Sequence, residues 1–232
     1  MSFKIHPSSH LVELFNEQPY QGQSPEKSKI IFLSSDANYS KEISEHRFFD
    51  YILEYQENGV GFWEKYGCHH PFLLEEFPFN KTSGGRPFHK NFSKIGLDSS
   101  YAEHISFLEL LDVPTIGNKS QNLSLFYSMV SIKHLEYIDS IVNGDSGKLI
   151  FVSSGVLKDM VQLKMKYPVF SWLEYENGKK EKYMQDVSSN RVQEIYHFSS
   201  SHIHRQLNQI KYSIDSWLNL NAPYPMRRKN HP

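Results

Sequence analysis

The chain has 232 residues, of which 39% are hydrophobic and 22% charged, so its composition is that of a globular protein with a sizeable core and not that of a disordered chain. Lys plus Arg number 25 and Asp plus Glu 26, and the formal net charge of −1 lacks the overall basic character of nucleic-acid-binding proteins, although a local basic patch would suffice for binding. The single cysteine, Cys68, excludes an intramolecular disulfide and a cluster of iron and sulfur held by thiolates.

The N-terminal sequence MSFKIHPSSH lacks the apolar core of a signal peptide. No apolar run in the sequence approaches the ~20 residues that span a bilayer. Since a free thiol also suits a reducing compartment, we expect a cytoplasmic protein without a membrane partner, and we expect it to be a monomer.

The first half of the chain predicts one strand and two helices. Residues 16–29 read as a loop, and the run KIIFL that follows is typical of a parallel strand covered on both faces. Residues 40–59 have helical spacing and end at Gly59, and residues 88–97 predict a second, short helix. Between them, residues 60–87 read as an irregular aromatic loop, of the kind that forms a lid or a binding loop.

The second half alternates between strands and helices. A strand or extended segment is predicted within residues 104–118, a single amphipathic helix over 123–144, a strand at LIFV followed by a helix, and a hairpin around Asn177-Gly178. Residues 193–220 read as a strand, a serine-rich corner and a helix. This alternation predicts an α/β domain with a mainly parallel sheet.

Polar residues stand where the predicted strands end, which is where ligands bind in parallel sheets. These residues are Ser34, Ser35, Asp36 and Asn38 after the first strand, Ser153 and Ser154 after a later one, and His197, Ser199, Ser200, Ser201, His202 and His204 after the last. Asp36 and His197 meeting over one cleft would pair a general base with an electrostatic stabiliser, and the serines would suit phosphate oxygens. The alternative is that Asp36 and the serines cap helices and that His197 is a buried strand residue.

Other chemistries have weaker patterns. Cys68, His69, His70, His202 and His204 could ligate a metal, but no second pair has the spacing of a known zinc site. No Gly-x-Ser-x-Gly elbow marks a serine nucleophile. The glycines at Gly84 and Gly85 form too short a run for a phosphate-binding loop. We therefore expect neither a metal nor a cofactor.

Four segments in order resemble the uracil-DNA glycosylase superfamily, especially its mismatch-specific uracil and thymine branch. They are KIIFLSSDANYS, GGRPFHKNFSKIGL, ISFLELLDVPTIGN and IYHFSSSHIHRQ, with LIFVSSG as the intervening strand. The resemblance spans roughly residues 29–215 and implies one domain, 1–232, with an inserted helix and loop at about 40–85. It also implies a three-layer α/β/α sandwich with a central, mainly parallel four-stranded sheet.

The resemblance also implies roles. Asp36 would position or activate the water, and His197 would donate to the oxygen of the leaving base. The aromatic platform for a flipped base would come from Tyr39, Phe72 or Phe88, with Asn38 also in the base pocket. Contacts to DNA are implied for Ser199, Ser200, Ser201, His202, Ile203, His204 and Arg205, with Ile203 as the wedge in the duplex and Arg205 on a phosphate.

The motifs depart from the family pattern. Ser34 replaces a glycine, Ala37 a proline, Asn38 a tyrosine or glycine, and Phe198 a proline. The resemblance therefore implies a glycosylase of a deaminated or mismatched base in DNA, or else a superfamily member that binds a nucleobase, nucleotide or nucleic acid without cleaving it. An unrelated nucleotide-processing hydrolase on a similar sheet is a third alternative.

Overall fold

The computed structural model describes residues 2–79, 85–144, 147–173 and 191–218. The hairpin predicted around Asn177-Gly178 and the basic C-terminal segment 226–232 lie outside these residues.

Within these residues, seven strands form two sheets. The strands are β1 (Lys4–Ile5), β2 (Tyr20–Gly22), β3 (Ile30–Ser34), β4 (Ile105–Glu109), β5 (Thr115–Ile116), β6 (Leu149–Ser153) and β7 (Val192–Ile195). The central sheet has the order β2-β4-β3-β6-β7, and β1 pairs with β5 in a small antiparallel sheet. The four strands β4, β3, β6 and β7 form three parallel pairs, and only the edge strand β2 is antiparallel, which confirms a mixed α/β fold with a mainly parallel sheet.

The expected count of four strands is wrong, because the central sheet has five. The additional strand, β2, lies in the segment that the sequence predicted as a loop. It is three residues long and pairs antiparallel with β4 through Tyr20–Gly22. So short an edge strand, with glutamines on both sides of its glycine, lacks the apolar run on which the prediction of strands relied.

The helices alternate with the strands along most of the chain. They are α1 (Ser9–Glu17), α2 (Phe49–Glu57), α3 (Gly59–Tyr66), α4 (Arg86–Phe92), α5 (Leu123–Ser128), α6 (Ile132–Asn143), α7 (Ser154–Lys164) and α8 (Leu207–Trp217). Short 3-10 turns lie at Ile43–Glu45, Pro71–Leu73, Ser93–Ile95, Ser99–His104, Lys119–Gln121 and Ser201–Arg205.

The helices predicted over 88–97 and after LIFV are confirmed, and three other predictions need correction. The helix predicted over 40–59 is shorter, because α2 covers only Phe49–Glu57 and the 3-10 turn Ile43–Glu45 precedes it. The segment predicted as an irregular loop contains α3, which Asn58 caps by accepting from the amide of Gly61 and which ends at Gly67 with φ 67°. The helix predicted over 123–144 is two helices, because Ser131 accepts from the amide of His134 and starts α6 anew.

Each face of the central sheet is covered by an apolar cluster. Alternate strand residues such as Ile31 and Leu33 pack against the helices α5, α6 and α7, and Ile30 and Phe32 pack against α3, α4 and α8. Since successive side chains of a strand point to opposite faces, a strand buried on both sides must be apolar, as β3 is from Ile30 to Leu33. The carboxyl ends of β3, β4, β6 and β7 therefore emerge together from one edge of the sheet.

Candidate active site

A cavity of about 500 Å³ opens at the carboxyl ends of the parallel strands. We call it the strand-end cavity. Among its lining residues are Gln21, Ser34, Ser35, Asp36, Asn38, Tyr39, His70, Phe72, Gly85, Phe88, His89, Phe107, Glu109, Lys119, Ser153, Ser154, Gly155, His197 and Ser199. Asp36 and His197 thus line one cavity, as their positions at the strand ends predicted, although they are far apart in sequence.

Asp36 is held by the segment that follows β4, not by a helix. The hydroxyl of Thr115 donates to Oδ2 of Asp36 over 2.6 Å. Backbone bonds join the same two segments on either side, from the amide of Thr115 to the carbonyl of Ala37 at 2.8 Å and from the amide of Tyr39 to the carbonyl of Thr115 at 2.9 Å. This pairing shapes the corner in the absence of the usual glycine and proline. The alternative that Asp36 caps a helix is therefore wrong.

The Asp36 carboxyl is half-buried and its ionisation is opposed. Desolvation raises its pKa above the ordinary value, and the negative charge of Asp159 adds to this effect. Hydrogen bonds from Thr115 and Asn38 and the positive charge of Lys119 act in the opposite direction. A carboxyl whose pKa is raised toward neutrality in this way is suited to accept a proton from a bound water.

His197 lines the same cavity, and a hydrogen bond fixes the role of one of its ring nitrogens. Its Nδ1 accepts from the amide of Ser199 at 3.1 Å, so the neutral ring carries its proton on Nε2. Desolvation lowers the pKa of His197, and the charge of Lys119 lowers it further. At neutral pH the ring is therefore an uncharged hydrogen-bond donor. The alternative of a buried strand residue is wrong, since His197 follows β7 and keeps solvent-accessible surface, although the groups around the cavity desolvate its ring enough to lower its pKa.

The four residues predicted to contact a base all line the cavity, but their surroundings differ. Phe88 is half-buried, with its ring 5.6 Å from that of His197 and 5.0 Å from that of Phe198. Phe72 and Tyr39 are buried, with rings 5.6 Å apart, and the Tyr39 hydroxyl accepts from Gln21. Phe88 is thus the aromatic with the most free surface for stacking.

Asn38, the polar member of that group, uses its side-chain amide in hydrogen bonds within the corner that follows β3. Its Nδ2 donates to the carbonyl of Gly117 at 2.6 Å and to the Thr115 hydroxyl at 3.2 Å. Asn38 therefore stabilises the cavity wall and orients Thr115 toward Asp36.

Three buried histidines, which we call the histidine stack, lie together beside the cavity, and two of them, His70 and His89, line it. The rings of His70 and His89 stack with centroids 3.5 Å apart, and Nε2 of His69 lies 3.1 Å from Nδ1 of His89. Desolvation lowers the pKa of all three, that of His89 to about 3. These rings are neutral aromatic surface at physiological pH.

Glu109 ends β4 beside Ser34 of β3 and is the second carboxyl of the cavity. It is 6% exposed, and no hydrogen-bond partner reaches its Oε2 from the described residues. Desolvation, with a further contribution from the charge of Asp36, raises its pKa to about 8. Glu109 is therefore a neutral acid at pH 7, beside the acid that the sequence analysis singled out.

Lys119 brings a positive charge to the cavity but shares it with an acid. Its Nζ donates to Oδ2 of Asp159 and, over 2.6 Å, to the hydroxyl of Ser35, which itself donates to the same carboxylate at 2.9 Å. Tyr127 donates to the other oxygen of Asp159 at 3.2 Å. Because Asp159 offsets the positive charge of Lys119, the cavity is not strongly basic.

Residues 199–205 form what we call the rim, beside the cavity. Ser201, His202, His204 and Arg205 are exposed on a 3-10 turn, and Ser199 lines the cavity. The hydroxyl of Ser200 accepts from the amide of His202 at 3.2 Å and caps that turn.

The predicted wedge, Ile203, is wrong. It is 0% exposed and lies in the apolar cluster with Phe198 and Ile210, so it has no free surface to insert into a duplex. The turn alternates, with its neighbours His202 and His204 outward and Ile203 inward. Phe198 packs in the same cluster and does not line the cavity, so it does not plug it.

The residues weighed as metal ligands are not arranged as such in the part of the chain that the structure describes: no group of three His, Cys, Asp or Glu side chains there could hold a metal ion. Cys68 donates to the carbonyl of His70, and burial raises the pKa of its thiol. Across the same residues, no helix combines the length and apolar character needed to cross a membrane.

Sequence reasoning missed Glu109, Lys119, Asp159 and the histidine stack. Glu109 had a usable signal, because an acid that ends the apolar strand ISFLE repeats the pattern that drew attention to Asp36. Lys119 and Asp159 lie on a turn and in the middle of α7, where a charged residue is unremarkable in sequence.

No protein-family model, curated protein or solved structure matches this chain.

Proposed function

We propose that this protein hydrolyses the N-glycosidic bond of a deaminated or mismatched base of the uracil type in DNA. The observation that carries the proposal is that Asp36 and His197 line one open cavity together with an available aromatic ring, Phe88. On this proposal the fold is a three-layer α/β/α sandwich of the uracil-DNA glycosylase kind. The apolar clusters on both faces of the sheet support that fold.

In the proposed reaction Asp36 accepts a hydrogen bond, and then a proton, from a water that attacks the sugar carbon. The bond from that carbon to the base nitrogen breaks, and its electron pair passes into the ring of the base. The Nε2–H of His197 donates to the carbonyl oxygen of the base, where negative charge develops as the base leaves. Removing one such donor typically costs ~10²–10³ in rate.

The cavity suits an uncharged base better than a phosphate. The Lys119 charge is paired with Asp159, and the wall also carries Asp36 and Glu109. Phosphate contacts are instead proposed for the exposed rim, with Arg205 as the permanent charge and Ser199, Ser201, His202 and His204 as hydrogen-bonding groups.

The test is base release from oligonucleotides that carry uracil, hypoxanthine, xanthine or mismatched thymine, in single and double strands. Release should fall by at least about 10²-fold in Asp36→Asn and in His197→Ala. Asp50→Asn, an exposed acid on α2, is the matched control and should retain the wild-type rate. If the wild-type protein releases no base from any of these substrates, the proposal fails.

A second candidate is a superfamily member that binds a nucleobase, a nucleotide or nucleic acid without cleavage. The observation in its favour is that Asn38 is tied into the wall and the corner around Asp36 is closed by Thr115. Saturable binding of a base-containing ligand in the absence of release would select this candidate.

A further inference from the structure

Glu109 has no task in the proposed reaction, yet its position is costly. A buried polar atom without a partner destabilises the folded state, and most buried polar groups in proteins are satisfied. Oε2 of Glu109 is such an atom, among the described residues, in a side chain that is more than nine-tenths buried and that lines the strand-end cavity. A group that a ligand completes would explain this arrangement.

The placement of Glu109 follows from the pleat of β4. Phe107 and Glu109 lie on the same face of this strand, two residues apart, and both line the cavity. The carbonyl of Glu109 is bonded to Nε2 of His134 at 2.8 Å, which anchors the strand end. The carboxyl therefore stands at a defined point beside the aromatic wall and not on a mobile loop.

Several titratable groups surround this carboxyl. Asp36, Tyr39 and Tyr55 interact electrostatically with the carboxyl itself, and His134 bonds to the backbone carbonyl of the same residue. Lys119, His70 and His89 line the same cavity. Both tyrosines have their pKa raised by burial, and both histidines of the wall have theirs lowered, so all four are neutral at pH 7. The Lys119 charge is matched by Asp159, which leaves Asp36 as the carboxyl that opposes ionisation of Glu109.

A neutral carboxyl offers one donor and one acceptor side by side, whereas a carboxylate only accepts. The neutral pair complements a lactam edge, on which a ring N–H adjoins a carbonyl oxygen. A carboxylate would instead repel the partial negative charge of that carbonyl oxygen, because both groups only accept hydrogen bonds. Discrimination of this kind is strong, because a mismatched ligand leaves a buried group unpaired.

We propose that Glu109 selects the ligand of this cavity by pairing, as a neutral acid, with the lactam edge of a six-membered heterocycle. The proposal rests on the proposed function for the identity of the cavity as a base pocket, and it adds the residue that determines specificity. Glu109 recognises the ring, and Asp36 and His197 act on the bond to it.

The test measures binding of free uracil to the full chain by calorimetry between pH 6 and pH 9, with 3-methyluracil, which lacks the ring N–H, as the matched ligand. Wild-type affinity for uracil should be constant up to pH 7 and fall about tenfold by pH 9, as one proton is lost from the group with a pKa of about 8. 3-Methyluracil should bind at least about tenfold more weakly at pH 7.

Two variants separate recognition from folding. Glu109→Gln keeps a donor and an acceptor without ionising, so its affinity for uracil should depend less on pH than that of the wild type. Ionisation of uracil itself affects both proteins equally, so the comparison of the two profiles corrects for it. Glu103→Gln, at an exposed position, should reproduce the wild-type profile. Should Glu109→Gln fail to fold, the comparison of the two ligands on the wild-type protein still decides.

Equal affinities for uracil and 3-methyluracil, superimposable profiles of wild type and Glu109→Gln, or no binding of uracil would each overturn the inference. Hydrolysis is judged separately by base release. Uracil binding that depends on Glu109, without release, supports this inference and refutes the proposed reaction. Release that Glu109→Gln leaves unchanged in rate and pH profile does the reverse.

Discussion

The hydroxyl of Thr115 donates to Oδ2 of Asp36 over 2.6 Å, and this bond ties the end of β3 to the short strand β5. Because backbone bonds flank it on both sides, the position of Asp36 is set by the neighbouring segment and not by its own turn. The carboxyl is thereby held in the wall of the cavity.

Thr115→Val should remove the donor and keep the shape of the side chain. Since this hydrogen bond favours the ionised form of Asp36, its loss should raise the pKa of Asp36 further. The acid limb of base release should move to higher pH, and stability should fall by about 1–2 kcal/mol. Thr115→Ser keeps the hydroxyl and serves as the matched control in both measurements. An unchanged acid limb in Thr115→Val would show that this bond does not govern Asp36.

Glu109 should make the protein less stable as the pH rises. Its folded pKa of about 8 lies above the ordinary value of 4.5, so the folded state holds a proton that the unfolded state has lost. Stability from this group is full below pH 4.5 and declines by about 1.4 kcal/mol per pH unit until pH 8. Urea unfolding of wild type and Glu109→Gln at several pH values should show this difference in slope. Glu103→Gln should track the wild type, and parallel curves for wild type and Glu109→Gln would contradict the assignment.

His89, in the histidine stack, should make the protein less stable as the pH falls, which is the opposite pH dependence to that of Glu109. The folded pKa of His89, about 3, lies below the ordinary 6.5, so stability is full above pH 6.5 and is lost as the pH falls toward 3. His89→Phe keeps an aromatic ring but cannot take up a proton, so the acid slope should decrease by about one proton. His10→Asn, at an exposed position, should leave the slope unchanged. Equal acid slopes for wild type and His89→Phe in unfolding experiments would count against a neutral buried ring.

Gly85→Ala should narrow the cavity. A Cβ at Gly85 would lie 2.9 Å from Cε2 of Phe72 and 3.1 Å from the carbonyl of Asn38, so the wall must shift. Base binding should weaken by about tenfold or more, since ~1–3 kcal/mol accompanies such overpacking. Gly155→Ala is the control, because its Cβ would meet only the Ser153 hydroxyl at 3.8 Å. Similar uracil affinities for the two variants would indicate that the wall at Gly85 is not part of the ligand site.

Arg205→Ala tests the rim as the surface for DNA. If Arg205 neutralises one phosphate, affinity for duplex DNA should fall and the slope of log affinity against log salt should decrease by about one unit. Lys158→Ala, an exposed cation on α7, is the control. Fluorescence anisotropy at several salt concentrations measures both slopes. If the two variants share the wild-type slope, DNA does not bind across the rim.

Local pattern was sufficient for the parts of the fold that are set by local physics. The apolar strands ending at Ser34 and Ser153 could be predicted because burial on both faces demands an apolar run. The edge strand β2 and the break at Ser131 could not, since a three-residue strand forms only when β4 offers its edge, and a single cap divides one continuous apolar pattern. The buried orientation of Ile203 likewise depends on what packs above the turn.

The sequence by itself determined which residues end the parallel strands, and so it brought Asp36 and His197 to one edge of the sheet. Only the tertiary structure decided what those residues experience. Thr115, 79 residues away along the chain, holds Asp36, and burial next to Asp36 makes Glu109 a neutral acid. Such effects depend on distance and on exclusion of water, which a linear pattern does not contain, and they add a second carboxyl, Glu109, to the one acid that the sequence indicated.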